Sequence, residues 1–511
     1  MPVDFGHSKV QTRFKIGRSR LVLRNVMRLL LVPVICILSF INGAIHAAQP
    51  PNFIIIFIDD MGWADLGCFG SETIRTPNID RMAAEGMRFT NFYAQPICGP
   101  SRAAIMTGCQ PMRVAELGNV KNIHPVLHTQ EITIAEVLKP KGYASICIGK
   151  WDLAGHSQRG FEPSLMPTHQ GFDEFFGTPS SNDQFVDLYR NDERMEENAD
   201  MGTLTQRYTD AAIEFMARHR EQPFFIYLPH SMVHTKLGAS SAFKGQSKRG
   251  LYGDTVEEID HHTGRILDAI RETGLADNTW VIFTSDNGPW LIKNKNHQDG
   301  VLPTDHGGSA GPLRSGKVST WEGGQRVPFI AWAPGRIPAG TTCEKLASTL
   351  DMFPTLAALA GTAAPTDRII DGENIASLLE GRFDEANPEK VFHYYLRTHL
   401  QAVRQGSWKL HLPRPLHPPW LAPFAKNGHI HPDDDIGMET PQLFNLDTDP
   451  GETTDVATTH PDVVTRLLAE AEKARQDIGD HDRVGANMRF FDPMDKRPTQ
   501  PPVPNPRSRK R

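Results

Sequence analysis

The stretch CGPSRAAIMTG, Cys98 to Gly108, sets a cysteine, a proline, a serine and an arginine at the start of a helix-like run. The thiol of Cys98 could be a nucleophile, a metal ligand or half of a disulfide. The other polar residues that could work with it share one local pattern. FIIIFI (Phe53 to Ile58) stops at Asp59-Asp60, and YASICIG stops at Lys150. PFFIYL is followed by Pro229, His230 and, four residues on, His234; TWVIFT runs into Ser285, Asp286, Asn287 and Gly288. Each run is continuous, apolar and rich in β-branched or aromatic residues, as a strand buried on both faces requires. Taken singly, an Asp pair can be a helix cap and SDNG an ordinary turn. Together they bring three carboxylates, an amide, lysines and histidines to the ends of strands.

Carboxylates held that close in a buried place need a cation. Oxygen donors alone point to a hard ion, calcium or magnesium, over zinc or copper. A metal ringed by Lys and His suits an anionic oxyester, a sulfate or a phosphate. A helix beginning near Cys98 would favour an anion through its free N–H groups and its dipole. A plain thiol is an odd partner for calcium, so the site would work better if residue 98 carried oxygen.

The elements that position these groups are read from periodicity. TPNIDRMAAEGMRF, ITIAEVLKPKG and TVEEIDHHTGRILDAIRETG have the spacing of amphipathic helices. Strands alternating with helices predict a parallel sheet covered by helices, an α/β fold that binds ligands beyond the carboxyl ends of its strands. The 511 residues are enough for a large α/β domain and a smaller one. Composition is that of a packed protein, 39% hydrophobic and 22% charged, and the net charge of -6 argues against a nucleic-acid partner.

The N-terminus reads as a secretory signal over residues 1–47, with Met27 as an alternative start. KIGRSRLVLRNVMR is basic, LLLVPVICILSFI apolar and NGAIHAA small. The apolar core has 13 residues, short of the ~20 that cross a bilayer as a helix. The protein is therefore expected to be exported, periplasmic or extracellular, and to meet a membrane only through this segment. Export permits disulfides. Five cysteines remain after Cys36 leaves, and an odd number flags one with another role. The Pro-rich, basic residues 486–511 read as a disordered tail.

The chain resembles the type I sulfatases, the formylglycine-dependent family related to alkaline phosphatase. The most specific element is C-x-P-S-R-x-x-x-x-T-G, present as Cys98, Pro100, Ser101, Arg102, Thr107 and Gly108. DDMGWADLGCFG, GKW, GFDEFFG, SDNGP, LRSGKVSTWEGGQRVP and DMFPTLAALAG occur in family order, and PQLFNLDTDPGETTDVA looks like the family's C-terminal strand and helix. The resemblance implies an alkaline-phosphatase-like catalytic domain, 48–385, with a large, mostly parallel sheet between helices. A C-terminal α+β subdomain of antiparallel strands and a helix, 386–485, would follow. It implies that a maturation enzyme oxidises Cys98 to formylglycine, whose hydrate attacks the sulfur of a sulfate ester on a carbohydrate or aryl alcohol. By position, Asp59, Asp60, Asp286 and Asn287 would hold one calcium with residue 98. Arg102 would support the nucleophile. Lys150, His234 and Lys317 would bind sulfate, and His234 or Lys317 would protonate the leaving oxygen.

One position departs from the family. GKW is usually followed by a histidine linked to sulfate release; here Asp152 follows, and His156 comes four residues later without an assigned place. That puts sulfate release at issue and gives Asp152 a place among the candidate catalytic residues. Two other readings stay open: a phosphodiester or phosphonate ester hydrolase on the same fold, and a glycan-binding relative without turnover. Trp290 and Trp420 lie in polar loops that could border a sugar.

Overall fold

Residues 52–58 are a strand because Asn52 is followed by six apolar residues, mostly β-branched, with no helical period to divide them. Their side chains alternate between the two faces of a sheet. Phe53, Ile55 and Phe57 enter one apolar cluster, and Ile54, Ile56 and Ile58 enter the other. The structure is a computed structural model that describes residues 1–4, 6, 49–114, 127–183, 185–291, 307–415 and 437–489. The expected signal segment thus lies almost wholly outside the described residues. Contacts divide the chain into Met1–Gln49 and a unit from Pro50 onward, which contains the site. No helix of the described residues is long and apolar enough to cross a membrane.

The large sheet is built from β1 (Asn52–Ile58), β2 (Met87–Tyr93), β3 (Ala144–Lys150), β4 (Glu174–Thr178), β5 (Leu188–Arg190), β6 (Glu193–Glu196), β7 (Phe224–Pro229), β8 (Thr279–Ser285), β9 (Arg326–Trp332), β10 (Thr341–Cys343) and β11 (Ala347–Ser348). Their order is β10-β2-β9-β8-β1-β7-β3-β4-β5-β6, with β11 also on β2. The centre, β8-β1-β7-β3-β4, is parallel throughout. β9 runs antiparallel to both β2 and β8, and β5 and β6 form an antiparallel edge. This is the mostly parallel α/β sheet that the sequence predicts.

Helices α1 (Pro77–Glu85), α2 (Cys98–Thr107), α3 (Ile134–Leu138), α4 (Leu204–Arg218), α5 (Gly250–Glu272) and α6 (Met352–Leu359) cover the sheet. α2, α3 and α6 pack on the Phe53 face, and α1, α4 and α5 on the Ile54 face. α1 has Pro77 at its first turn, where the missing N–H costs nothing. It ends at Glu85, so the Met87-Arg88-Phe89 portion of its predicted stretch belongs to β2. α3 starts at a capping box: Thr133 accepts from the Glu136 N–H, and Glu136 accepts from the Thr133 N–H.

Beyond the sheet, β12 (Val391–Leu396), β13 (His399–Gln405), β14 (Trp408–His411) and β15 (Gln442–Asn445) make an antiparallel sheet packed on α7 (Pro461–Asp477). Tyr395, Leu400, Val403, Leu410 and Leu443 meet Leu467, Ala471 and Ala474 in its core. Of the predicted tail, Ala486 to Arg489 are hydrogen-bonded to the body, Arg489 through Glu131 and the Cys109 sulfur; residues 490–511 lie outside the described residues. No disulfide forms among the described residues, and Cys68, Cys98, Cys109, Cys147 and Cys343 are free.

A buried charge cluster joins the small sheet to the segment after Lys317. Lys409 Nζ on β14 lies 2.8 Å from the Thr320 carbonyl, 3.0 Å from Glu322 and 2.9 Å from Glu452. Glu322 also accepts from Tyr93 and Tyr394. Removing one ion from such a set leaves the others charged and dry. Lys409→Met is therefore expected to destabilise the protein by about 3–5 kcal/mol. Urea unfolding checks this, and a loss below about 1 kcal/mol would show the cluster to be incidental.

Candidate active site

The strand ends meet at one edge. Asp59 and Asp60 leave β1, Asp286 and Asn287 leave β8, Lys150 ends β3, and His234 follows β7. α2 begins with Cys98, so Arg102 stands one turn along on the same face. Lys317 arrives from the loop before β9. Every one of these residues is buried. All ten sequence-predicted site residues, Asp152 included, fall in this one region.

The geometry is a ring of alternating charge. Arg102 Nη2 donates to Asp286 Oδ2 at 2.8 Å and lies 3.3 Å from Asp59 Oδ2. Lys150 Nζ donates to Asp59 Oδ2 at 2.6 Å. Lys317 Nζ donates to Asp60 Oδ1 at 2.6 Å and stands 3.5 Å from Cys98 Sγ. Asn287 Nδ2 donates to Asp60 Oδ1 at 2.7 Å, and the Asp60 N–H donates to Asp286 Oδ1 at 3.1 Å. His234 Nε2 is 3.8 Å from Asp60 Oδ2.

Several buried oxygens are left over. Asp59 Oδ1, Asp60 Oδ2 and Asn287 Oδ1 have no hydrogen-bond donor. Ligand atoms of Asp59, Cys98 and Asp286 lie within 4.8 Å of one another, as do those of Asp59, Asp60 and His234. Unsatisfied buried oxygens are costly unless something cationic meets them. The donor set, three carboxylates and an amide carbonyl, is that of a hard divalent ion. The residues present therefore fit the calcium expected from the sequence.

The electrostatics agree. Burial opposes ionisation of Asp59, but Lys150, His234 and Arg102 outweigh it and hold its carboxyl well below the usual range. Burial and the Asp59 charge push Asp286 the other way, upward, despite Arg102. That repulsion is what a bound cation would relieve. Burial pushes the Cys98 thiol up to about 12, with Lys150 and Lys317 only partly opposing. A thiol so placed is protonated and a poor nucleophile.

Backbone geometry is unusual at the same place. Asp60, Asp152 and Val318 all have positive φ, at 65°, 56° and 69°. Such conformations are uncommon for residues with a Cβ, above all for a β-branched one, and they cluster at functional sites. Gly149, just before Lys150, has φ 124°, and a Cβ there would lie 1.9 Å from the Pro229 carbonyl oxygen on β7. This contact lets β3 lie close to β7 and aims Lys150 at Asp59.

Asp152 turns inward with its Oδ2 3.9 Å from Lys150 Nζ. His156, unplaced by sequence, stands with Nδ1 2.9 Å from Asp152 Oδ1 and Nε2 3.0 Å from Asp183 Oδ2. Asp183 is the residue that sequence reasoning missed. It lies beyond the end of β4, so the strand-end rule that found the others would have reached it. His230 stays out of the ring: it packs near Tyr208, and burial lowers its pKa to about 3. Trp290 borders the site beside Cys98, Val318 and Leu396. Trp420 lies outside the described residues.

Residues 51–362 match the sulfatase family model, and residues 387–505 match the C-terminal region of aryl-sulfatase. The chain is 41% identical over 399 residues to the N-acetylgalactosamine-6-sulfatase of Canis lupus familiaris, covering 72% of this chain and 73% of the relative. It is 34% identical over 472 residues to an arylsulfatase of Hemicentrotus pulcherrimus, covering 83% and 81%. Among solved structures, Ps i-CgsB matches with a TM-score of 0.68 at 29% identity, over 83% of this chain and 92% of that one. A protein from work on glycosaminoglycan metabolism by Bacteroides thetaiotaomicron matches with a TM-score of 0.69 at 27% identity, over 84% and 100%. The chain belongs to the sulfatase family and is an enzyme that hydrolyses sulfate esters.

Gly149→Ala is expected to destabilise the protein by more than about 1 kcal/mol, since both φ and the space forbid a Cβ. Activity should fall further than stability explains, because Lys150 must shift with it. Thermal unfolding beside aryl sulfate hydrolysis checks this; unchanged values in both would show that the strand approach is unimportant.

Proposed function

We propose that the enzyme removes sulfate from a sulfated carbohydrate after export to the periplasm or the extracellular space. Its nucleophile would be a formylglycine made from Cys98 by a maturation enzyme. Its metal would be one calcium held by Asp59, Asp60, Asp286, Asn287 and residue 98. The observation that carries the site reading is a set of donor-free oxygens on Asp59, Asp60 and Asn287 at the edge where ligand atoms of Asp59, Asp286 and the buried Cys98 lie within 4.8 Å of one another. The carbohydrate reading draws on relatives. One similar relative is an N-acetylgalactosamine-6-sulfatase, and Ps i-CgsB has been solved with k-i-k-neocarrahexaose. Export rests on the charged, apolar, small order of the N-terminus.

Calcium and formylglycine together supply a cation that stabilises negative charge and an oxygen nucleophile. The chain's own residues do the rest. Lys150 and Lys317 flank residue 98 and hold the sulfate oxygens. Arg102 spans Asp286 and Asp59, which keeps two carboxylates side by side in a buried place. His234 or Lys317 gives a proton to the departing alcohol oxygen. Leu396 and Trp290 exclude water beside residue 98.

If this reading is right, peptide mass spectrometry of the active enzyme finds an aldehyde at residue 98. Cys98→Ala should fold normally and lose activity. A thiol at full specific activity would overturn the proposed nucleophile. Chelation should abolish activity, calcium should restore it, and elemental analysis should find about one calcium per chain. Zinc in the active enzyme would contradict the ligand assignment. Release of free sulfate from defined sulfated saccharides identifies the substrate; turnover of phosphodiesters alone would replace the reading.

A further inference from the structure

Beside Lys150, read above as a sulfate-binding residue, stands a carboxylate that sulfate would least tolerate. Asp152 is buried two residues beyond Lys150, with its Oδ2 3.9 Å from the Lys150 ammonium. Asp183 faces the same pocket from the loop after β4, with Oδ1 3.5 Å from His234 Nε2. With Asp59, Asp60 and Asp286 these make five carboxylates, against the permanent cations Arg102, Lys150 and Lys317. An anionic substrate entering beside Lys150 meets Asp152 as a like charge.

His156 lies between the two added carboxylates. Nδ1 is 2.9 Å from Asp152 Oδ1 and Nε2 is 3.0 Å from Asp183 Oδ2. A carboxylate only accepts, so both ring nitrogens must carry hydrogen to satisfy both contacts, and that makes the ring an imidazolium. The Ser181 N–H donates to the His156 carbonyl at 3.1 Å, which ties the two loops together behind the pocket.

We propose that His156 is a positioning residue of the sulfate site: as a cation it fixes the Asp152 and Asp183 carboxylates and cancels the charge that Asp152 brings beside Lys150. The pair Asp152–His156 is then neutral where a lone carboxylate would repel sulfate. This rests on the reading of the Lys150 pocket as a sulfate site. The charged groups facing His156 are Asp152 from its own loop and Asp183 from the loop after β4, with Lys150 and His234 behind them. Burial opposes the charge on the ring, but the two carboxylates prevail and push its pKa up to about 9. A ring with that pKa is almost fully charged at neutral pH, so the compensation is present there and is lost as pH rises through about 9.

The test reads binding and charge, not turnover. Inorganic sulfate is titrated calorimetrically into the protein in calcium buffer with Cys98 left as the thiol. His156→Gln should weaken sulfate binding about tenfold or more at pH 7. His156→Arg, which keeps the cation, should stay within about threefold of the unsubstituted protein. The double variant Asp152→Asn with His156→Gln should recover most of the loss, because the carboxylate is gone as well. In parallel, NMR of ring-labelled histidine should give His156 a titration midpoint near 9, lower by about one unit or more in Asp152→Asn. Undiminished sulfate binding in His156→Gln overturns the proposal, as does a double variant as weak as the single one. A His156 midpoint below about 7 overturns it through the charge on the ring. A midpoint near 9 with no sulfate binding by the unsubstituted protein overturns it by removing the sulfate pocket itself.

Discussion

The repulsion among Asp59, Asp60 and Asp286, all buried at one sheet edge, is the constraint around which the rest of the site is arranged. Three carboxylates out of water would not stay ionised by themselves. Arg102 reaches two of them, Lys150 one and Lys317 another, with each ion paired inside hydrogen-bond range. Even so, Asp59 Oδ1, Asp60 Oδ2 and Asn287 Oδ1 keep unmet lone pairs, so the protein alone does not satisfy every buried oxygen at this edge. A folded state that holds this arrangement is poised for a cation and, next to it, for an anion.

That arrangement depends on the parallel centre of the sheet. Because β1, β3, β7 and β8 point the same way, their carboxyl ends lie side by side, and residues far apart in sequence become neighbours. The adjacent helix α2 contributes Cys98 and Arg102 one turn apart. Precision at the edge costs backbone freedom: Asp60, Asp152 and Val318 all take left-handed conformations that only a well-packed surround can hold.

The small antiparallel sheet serves the same end. Its Lys409 reaches Thr320 and Glu322, in the segment that begins with Lys317, while Leu396 packs beside Cys98. The second sheet thus holds one wall of the site and one of its cations.

Much was legible in the sequence. Continuous apolar runs ending in Asp, Lys and Ser-Asp-Asn identified the strands and the site edge, because a parallel strand buried on both faces cannot carry polar residues anywhere but its ends. The Cys98-to-Gly108 string marked the helix start, and the chemistry of its neighbours set a cysteine at odds with a hard-ion site. Helix limits were less legible: Met87 to Phe89 fit a helical stripe, yet they pair with β9 because sheet contacts override local periodicity. Only the tertiary structure decided what stands around Asp152. Sequence spacing says nothing of where two loops cross, and the meeting of His156 with Asp183, which follows a different strand, is set by how β3 and β4 lie side by side. The same holds for the Lys409 cluster, whose members come from separate sheets and whose charges have meaning only once water is gone.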